Sequence, residues 1–414
     1  MLSGESHFKS LDGRVGLVDR PRIDSTGGTV VPLVEAGVEG FESCFKDLED
    51  PRTGNAGLHD LLEMLFIALC TVLSGGQSAV DMAMFAREKE TFLREFLKLE
   101  HGLPSHDTFS RIFRLLDPEQ FRACFQRFMA RFAETCQGVI AIDGKVVRRS
   151  FDKASGKSAL HMVSAWGCDQ RLVLAQIATD AKSNEITAVP KLLKMLCLKG
   201  TIVTVDALNC QREIAQQIIE QGGDYALALK GNQGTLHADV STFLDDPKAE
   251  ATTTNTTVDA DHGRIETRTA VVSTHVDWLQ EQHQWPGLKA IAKVTRIRET
   301  TDKTSSEAAY YLLSQPLTAE RFNSVARAHW GVENSLHWCL DVIMQEDWAR
   351  NRMDNGPQNL AVLRHMALNV MRKDPKKASL RGKFKIAAWN TLTLIGIDPA
   401  LLMGMDPLCG RWSA

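Results

Sequence analysis

The chain has 414 residues, 44% of them hydrophobic, and a formal net charge of −3 from 48 basic and 51 acidic side chains. That length supports two or three domains with real cores. Nine cysteines, an odd number with no C-x-x-C pair, and an N-terminus without an apolar signal segment argue against a secreted scaffold and for a reducing cytosol. The most apolar run, "LLEMLFIALCTVLSGG", contains Glu63 and is too short to span a bilayer. Charge is segregated: "HADVSTFLDDPKAE" and "TVDADHG" are acidic, whereas "RHMALNVMRKDPKKASLRGKFK" is basic and could meet phosphates or simply face solvent.

Residues 1–54 are rich in Gly, Pro, Ser and charge and read as an irregular leader, with one short helix near "EAGVEGFESCFKDL". Residues 55–137 change to amphipathic helices, "LHDLLEMLFIALCTVLSG", "AVDMAMFAREKETFLREFL" and "DPEQFRACFQRFMARFA", punctuated at "SGGQ" and "HGLPSHD". Within them "LPSHDTFSRIFRLLD" predicts a helix capped by Ser105 or Asp107. Its opening turns present Thr108, Ser110, Arg111 and Arg114, as a DNA recognition helix would. A capped helix with surface arginines has the same pattern.

From residue 138 the texture is strand and helix. "GVIAID", "LHMVSAWGC" and "LVLAQIATD" are three successive strands, followed by helix "SNEITAVPKLLKMLCL", strand "GTIVTVDAL", helix "CQREIAQQIIEQG" and strand "DYALALKGN". The order predicts an α/β sheet of mixed direction rather than a doubly wound one. No G-x-G-x-x-G or Walker sequence occurs, so nucleotide binding has no support. From about 246 to 310 the segments "RIETRTAVVS", "LKAIAKVTRIRET" and "AAYYLLS" read as a β-rich insertion. A helix "PQNLAVLRHMALNVMRK" follows, and residues 371–414 form a basic tail with a last helix near "KIAAWNTLTLIG".

Asp143 and Asp206 each close a strongly apolar strand. A carboxylate there is costly unless a metal, a hydrogen bond or a cation compensates it. Each also has an ordinary explanation as a turn or helix cap, most directly Asp206 before "ALNCQREI". Further on, "HWGVENSLHWCLDVIMQED" predicts a helix with Val332, Leu336, Cys339 and Ile343 as its apolar stripe. Beside that stripe His329, Glu333, His337 and Asp341 recur every four residues. A solvated face, a zinc site from His329, Glu333 and His337, or one acid of a larger metal site all fit this helix taken alone. With Asp143 and Asp206, Glu333 completes three oxygen ligands suited to Mg²⁺, which keeps several waters and leaves room for phosphate oxygens.

The motifs "AIDGKVVRRS", "VTVDALNCQ", "LKGNQGTLH", "DHGRIETR" and "HWGVENSLHWCLDVIMQEDWARNR" resemble the H-repeat-associated, ISAs-type insertion-sequence transposases of the DDE superfamily. The resemblance covers nearly the whole chain. It implies a ribonuclease-H-like mixed-sheet catalytic core over residues 138–370 with the β-rich insertion inside it. Residues 55–137 then correspond to that family's helical associated N-terminal domain, a candidate for DNA binding. It implies Asp143, Asp206 and Glu333 as catalytic acids holding two Mg²⁺ ions, for which Mn²⁺ can substitute. Related cut-and-paste transposases carry Tyr, Arg and Lys around the glutamate, where this sequence has Ala326, His329 and Leu340. His329, His337 and Arg327 are therefore the candidates to lie beside the metal ligands or face phosphate.

DNA contacts are expected from Lys145, Arg148 and Arg149 after the first acid and from Lys230, Asn232 and Gln233 after the fifth strand. Arg264 and Arg268 of the insertion are expected to add to them, with His262 nearby, and alternation puts both arginines on one strand face with Glu266. The implied activity is cleavage at terminal inverted repeats of double-stranded DNA and strand transfer into target DNA, by a homodimer or larger assembly in the cytoplasm. A metal-dependent nuclease that cuts without joining and a catalytically retired DNA-binding protein are the competing readings.

Overall fold

A computed structural model describes residues 41–130, 137–153, 156–179, 185–249, 252–261 and 263–390. His262, most of the leader and the end of the tail lie outside them. The N-terminal helices are α1 (Leu61–Leu73), α2 (Ala79–Glu88), α3 (His106–Leu115) and α4 (Pro118–Ala130). Their ends follow local chemistry. The Asp60 side chain accepts from the Glu63 backbone, Ser78 and Asp81 form a reciprocal capping box, and Ser105 rather than Asp107 caps α3.

Nine strands form one sheet: β1 (Gly138–Val146), β2 (His161–Gly167), β3 (Leu172–Thr179), β4 (Thr201–Val205), β5 (Asp224–Leu229), β6 (Thr252–Asp261), β7 (Arg264–Ser273), β8 (Ala290–Thr300) and β9 (Thr304–Leu313). The order is β3-β2-β1-β4-β5-β9-β8-β7-β6. β1, β4 and β5 run parallel, β2 is antiparallel to β1, and β3, antiparallel to β2, points the same way as β1. This is the mixed ribonuclease-H-like sheet expected. The insertion does not stand apart: β9 pairs with β5, so β6 to β9 lengthen the same sheet.

Strand alternation sorts the core into two faces. Ile140, Ile142, Val203 and Val205 pack beneath α5 (Glu185–Leu193), α6 (Arg212–Glu220) and α7 (Gly234–Asp245). Val139 and Ile202 point the other way, with Ala270, Ala292 and Tyr311 of the insertion, onto Phe322, Val325 and Ala326 of α9 (Ala319–Val332). A short helix α8 (Asp277–His283) bridges β7 and β8. The N-terminal helices share one continuous core with Trp166 and Val173 of the sheet, Leu336 beyond α9, and Leu363 and Met366 of α10 (Gly356–Lys373). Burying that much apolar surface joins the helical block to the sheet. A last helix, α11 (Leu380–Trp389), starts earlier than the sequence suggests, at the Ser379 cap.

Candidate functional site

The site sits where β1 and β4 part. In their parallel register Ala141 pairs with Thr204 and Ile142 with Val205, and there the pairing stops. Asp143 and Asp206 are the next residue along each chain path, so one step beyond the last rung brings two acidic residues to neighbouring backbone positions. Asp143 does not end β1 as the sequence suggested. On its other edge β1 stays paired with β2 as far as Val146. Period-two alternation therefore puts Val139, Ala141, Asp143 and Lys145 on one face, toward α9.

The helix from α9 changes character at Glu333. Residues Glu333–His337 and Cys339–Ile343 are π-helical, with Trp338 N donating to Glu333 O and Met344 N to Cys339 O. Such widened turns are rare and concentrate at functional sites. The row of polar residues four apart survives the widening, and each member meets the sheet. His329 Nδ1 lies 2.9 Å from Thr204 Oγ1 of β4. His337 Nδ1 lies 3.3 Å from Glu333 Oε2 and 3.8 Å from Asp143 Oδ2. Asp341 Oδ1 lies 2.7 Å from Lys145 Nζ. Ligand-type atoms of Asp143, Glu333 and His337 all fall within 4.8 Å of one another, a group that could hold a metal ion. His329, bonded to Thr204, and Asp206 are not part of it.

Electrostatics mark the same place. Burial pushes the Asp143 carboxyl up to about 6, aided by the charges of Glu333 and Asp206 and opposed by His337 and a bond from the Gly144 backbone. Two acids gathered with His337, and the charge of Asp206 felt at Asp143, suit a hard divalent cation. Burial also drives His329 down to about 4, so that ring is neutral at physiological pH. Asp206 caps the turn Ala207–Asn209 as well, its Oδ1 accepting from the Asn209 backbone at 3.2 Å, so the capping and site readings of this acid coexist.

The expected basic residues divide by what they touch. Lys145 is enclosed by Asp341, Glu346 (3.1 Å) and Asp347 (3.5 Å), with Arg364 of α10 at 3.7 Å from Glu346. Arg148 is exposed beside Asp347, and Arg149 stacks its guanidinium 4.5 Å from the centre of the Trp348 ring. Lys230 is exposed, whereas Asn232 and Gln233 donate to Ala207 O and Cys210 O and tie the turn after β5 to the turn after Asp206. Arg111 is exposed on α3. Arg114 pairs with Asp354 at 2.7 Å, at the joint between the helical block and the segment leading into α10.

Arg264, Arg268, Arg296, Arg327, Trp330 and Asn334 line a groove of about 220 Å³ between the insertion and the α9 helix. Arg268 contacts Glu266 and Asp259, Arg327 contacts Asp259 at 2.8 Å, and Arg296 stacks on Trp330. Trp330, Arg296 and the Lys145 cage of carboxylates were not singled out from sequence, because their meaning depends on distant partners. The basic run after α10 begins also divides. Arg364 is buried, and Arg372 donates to Ser335 O and stacks on Trp166, so both belong to the interior.

A ribonuclease-H-like sheet with carboxylates gathered off its central parallel strands and a third on a crossing helix defines a DDE-type protein. Comparison agrees. Residues 134–370 match the transposase DDE domain family and residues 42–129 match the DDE_Tnp_1-associated family. The chain belongs to the DDE transposase family. It is 39% identical over 342 residues to the "H repeat-associated putative transposase YhhI" of Escherichia coli (strain K12), covering 80% of this chain and 90% of that one. It is also 45% identical over 278 residues to an uncharacterized protein in the dhlA 3′ region of Xanthobacter autotrophicus, covering 65% and 92%. A piggyBac transposase synaptic complex with hairpin DNA overlays 92% of this chain and 80% of its own, at 11% identity and a TM-score of 0.41. Among the described residues no helix is long and apolar enough to cross a membrane.

Proposed function

We propose that the chain is an active insertion-sequence transposase that cuts DNA at the terminal inverted repeats of its element and joins the freed 3′-OH to target DNA. The observation that carries this reading is the gathering of Asp143, Glu333 and His337 within 4.8 Å, with Asp206 on the neighbouring strand. Asp143, Asp206 and Glu333 would hold two Mg²⁺ ions, or Mn²⁺ in their place, and His337 closes the group. Ions bound there would supply activation of the attacking oxygen and stabilisation of the leaving one in an in-line displacement.

The chain's own groups then have separable roles. Arg148, Arg149 and Lys230 are exposed or half-exposed near the acids and would neutralise phosphates flanking the scissile bond. The Arg264–Arg327 groove would track the same duplex past Glu333, and Arg111 would add a contact from α3. Lys145 takes a different part from the one expected of it. Its three carboxylate partners make it the clamp that ties the π-helical segment to β1, and so Glu333 to Asp143. His329, kept neutral, orients the same segment against Thr204.

The test uses the full chain, terminal-repeat DNA with a pre-cleaved 3′-OH, a target plasmid and Mg²⁺. Joined product is expected, together with a dimeric or larger complex on paired ends. Cleavage without joined product would make the chain a nuclease. Repeat binding without either would make it a retired DNA-binding protein.

A further inference from the structure

Behind the acids lies a buried polar relay that the proposed chemistry does not use. Glu185, the first residue of α5, is 1% exposed and His161, the first of β2, is 2% exposed. His161 Nε2 and Glu185 Oε1 are in short hydrogen-bond contact. The other oxygen, Glu185 Oε2, accepts from Asn209 Nδ2 at 3.1 Å. That same nitrogen donates to Asp206 Oδ1 at 2.8 Å. One amide thus bridges a buried carboxylate and the acid that follows β4. Asn209 is itself 1% exposed.

The backbone makes room for this pair. Gly144, next to Asp143 on β1, has no side chain, and a Cβ built there would collide with both the His161 ring and the Glu185 carboxylate. The glycine of "IDGK" therefore lets the relay reach the strand carrying the first acid. Both protein hydrogen bonds to the Asp206 side chain, from Asn209 Nδ2 and Asn209 N, fall on Oδ1. Oδ2 takes no part in this relay. A buried carboxylate that accepted nothing would be expensive, so the relay is held at both ends or not at all.

We infer that Glu185, through Asn209, fixes the rotamer of Asp206 for metal binding, and that His161 fixes Glu185. All three are positioning residues. Truncating the Asn209 side chain leaves the 209 backbone N–H on Oδ1 but removes the shorter bond and the link to Glu185, which loosens Asp206 without changing its own atoms. Outer partners of ligating carboxylates commonly carry about 10–100-fold in metal affinity. The inference rests on the metal reading of Asp206, and the test separates the two.

The experiment titrates Mn²⁺ alone into the DNA-free full chain, followed by electron paramagnetic resonance, with thermal unfolding of each variant alongside. Asp206→Asn tests the metal reading and should lose Mn²⁺. Asn209→Ala and Glu185→Ala should weaken Mn²⁺ about 10–100-fold, with the folded fraction unchanged at the titration temperature. Glu185→Gln keeps an oxygen that can accept from Asn209 and should restore most of the affinity. A purely structural role predicts no such rescue independent of unfolding temperature. Wild-type Mn²⁺ affinity in Asn209→Ala, where Asp206→Asn has lost it, overturns the inference and leaves the metal reading standing. Should Glu185→Ala fail to fold, Asn209→Ala and Glu185→Gln decide alone. Unaltered Mn²⁺ affinity in Asp206→Asn would instead remove the metal reading and the inference with it.

Discussion

The π-helical segment after α9 and the recognition-like helix α3 looked equally ambiguous as sequence, each an amphipathic helix with charged residues on its polar side. In the folded protein they part company. Every member of the His329, Glu333, His337 and Asp341 row has a partner or neighbour on β1 or β4. On α3, Arg111 is exposed and Arg114 pairs with Asp354 across an exposed joint. Phe109, Ile112 and Phe113 are buried in the shared core. The lesson is energetic. Buried polar groups must be satisfied, so their partners reveal what they are for. Exposed arginines have water as an alternative and reveal little by themselves.

The largest expected effect lies in the row that meets the sheet. Glu333→Gln keeps the shape of the side chain and removes the charge that would hold a divalent ion. Cleavage and joining should fall at least about 10³-fold, roughly 4 kcal/mol of barrier, with terminal-repeat binding retained. Near-normal turnover by this variant in Mg²⁺ would break the contrast at its centre.

Next comes the Lys145 cage. Lys145→Met leaves half-buried Asp341 without its cation and buried Glu346 with only Arg364, 3.7 Å away, and removing one partner of a buried pair typically costs about 3–5 kcal/mol. Urea unfolding measures it. A loss below about 1 kcal/mol combined with weakened end binding would return Lys145 to the DNA surface.

Acid should loosen the same region. Burial holds His365 of α10 near 4, well below its ordinary value, with Gln176 of β3 as its partner. A histidine whose folded pKa is depressed takes up its proton more readily when unfolded, so stability falls as pH drops from about 6.5 toward 4. On the order of 1–2 kcal/mol should be lost between pH 7.5 and 5 through this group. His365→Gln should flatten the profile over that window. An unchanged slope in denaturation curves would show that other groups carry the acid sensitivity.

The smallest effects belong to α3. Arg114→Ala should cost under about 1 kcal/mol of stability, as exposed ion pairs do. Arg111→Ala should weaken terminal-repeat binding modestly at low salt and lower the salt slope by about one. Identical affinity and identical salt dependence would assign the helix to packing alone.

The sequence by itself determined the element order and the mixed sheet, and it nominated three acids, because apolar runs, turn residues and carboxylates at the ends of apolar runs are local signals with local causes. It also determined family membership, since long motifs in order outweigh any single residue. The tertiary structure decided what those residues do to one another. Only the register of β1 against β4 puts Asp143 and Asp206 at neighbouring backbone positions, and only the helix continuing from α9 brings Glu333 and His337 to Asp143. Glu185 reads in sequence as an ordinary acid in a first helical turn and His161 as a lone histidine on an apolar strand, yet they meet behind Asp206. Lys145 reads as a cation near a site, but its meaning is set by carboxylates some two hundred residues away. Periodicity records which face a residue takes, whereas the partner across that face belongs to another part of the chain. Charge and hydrogen bonding are pairwise quantities, and pairs distant in sequence exist only once the chain has folded.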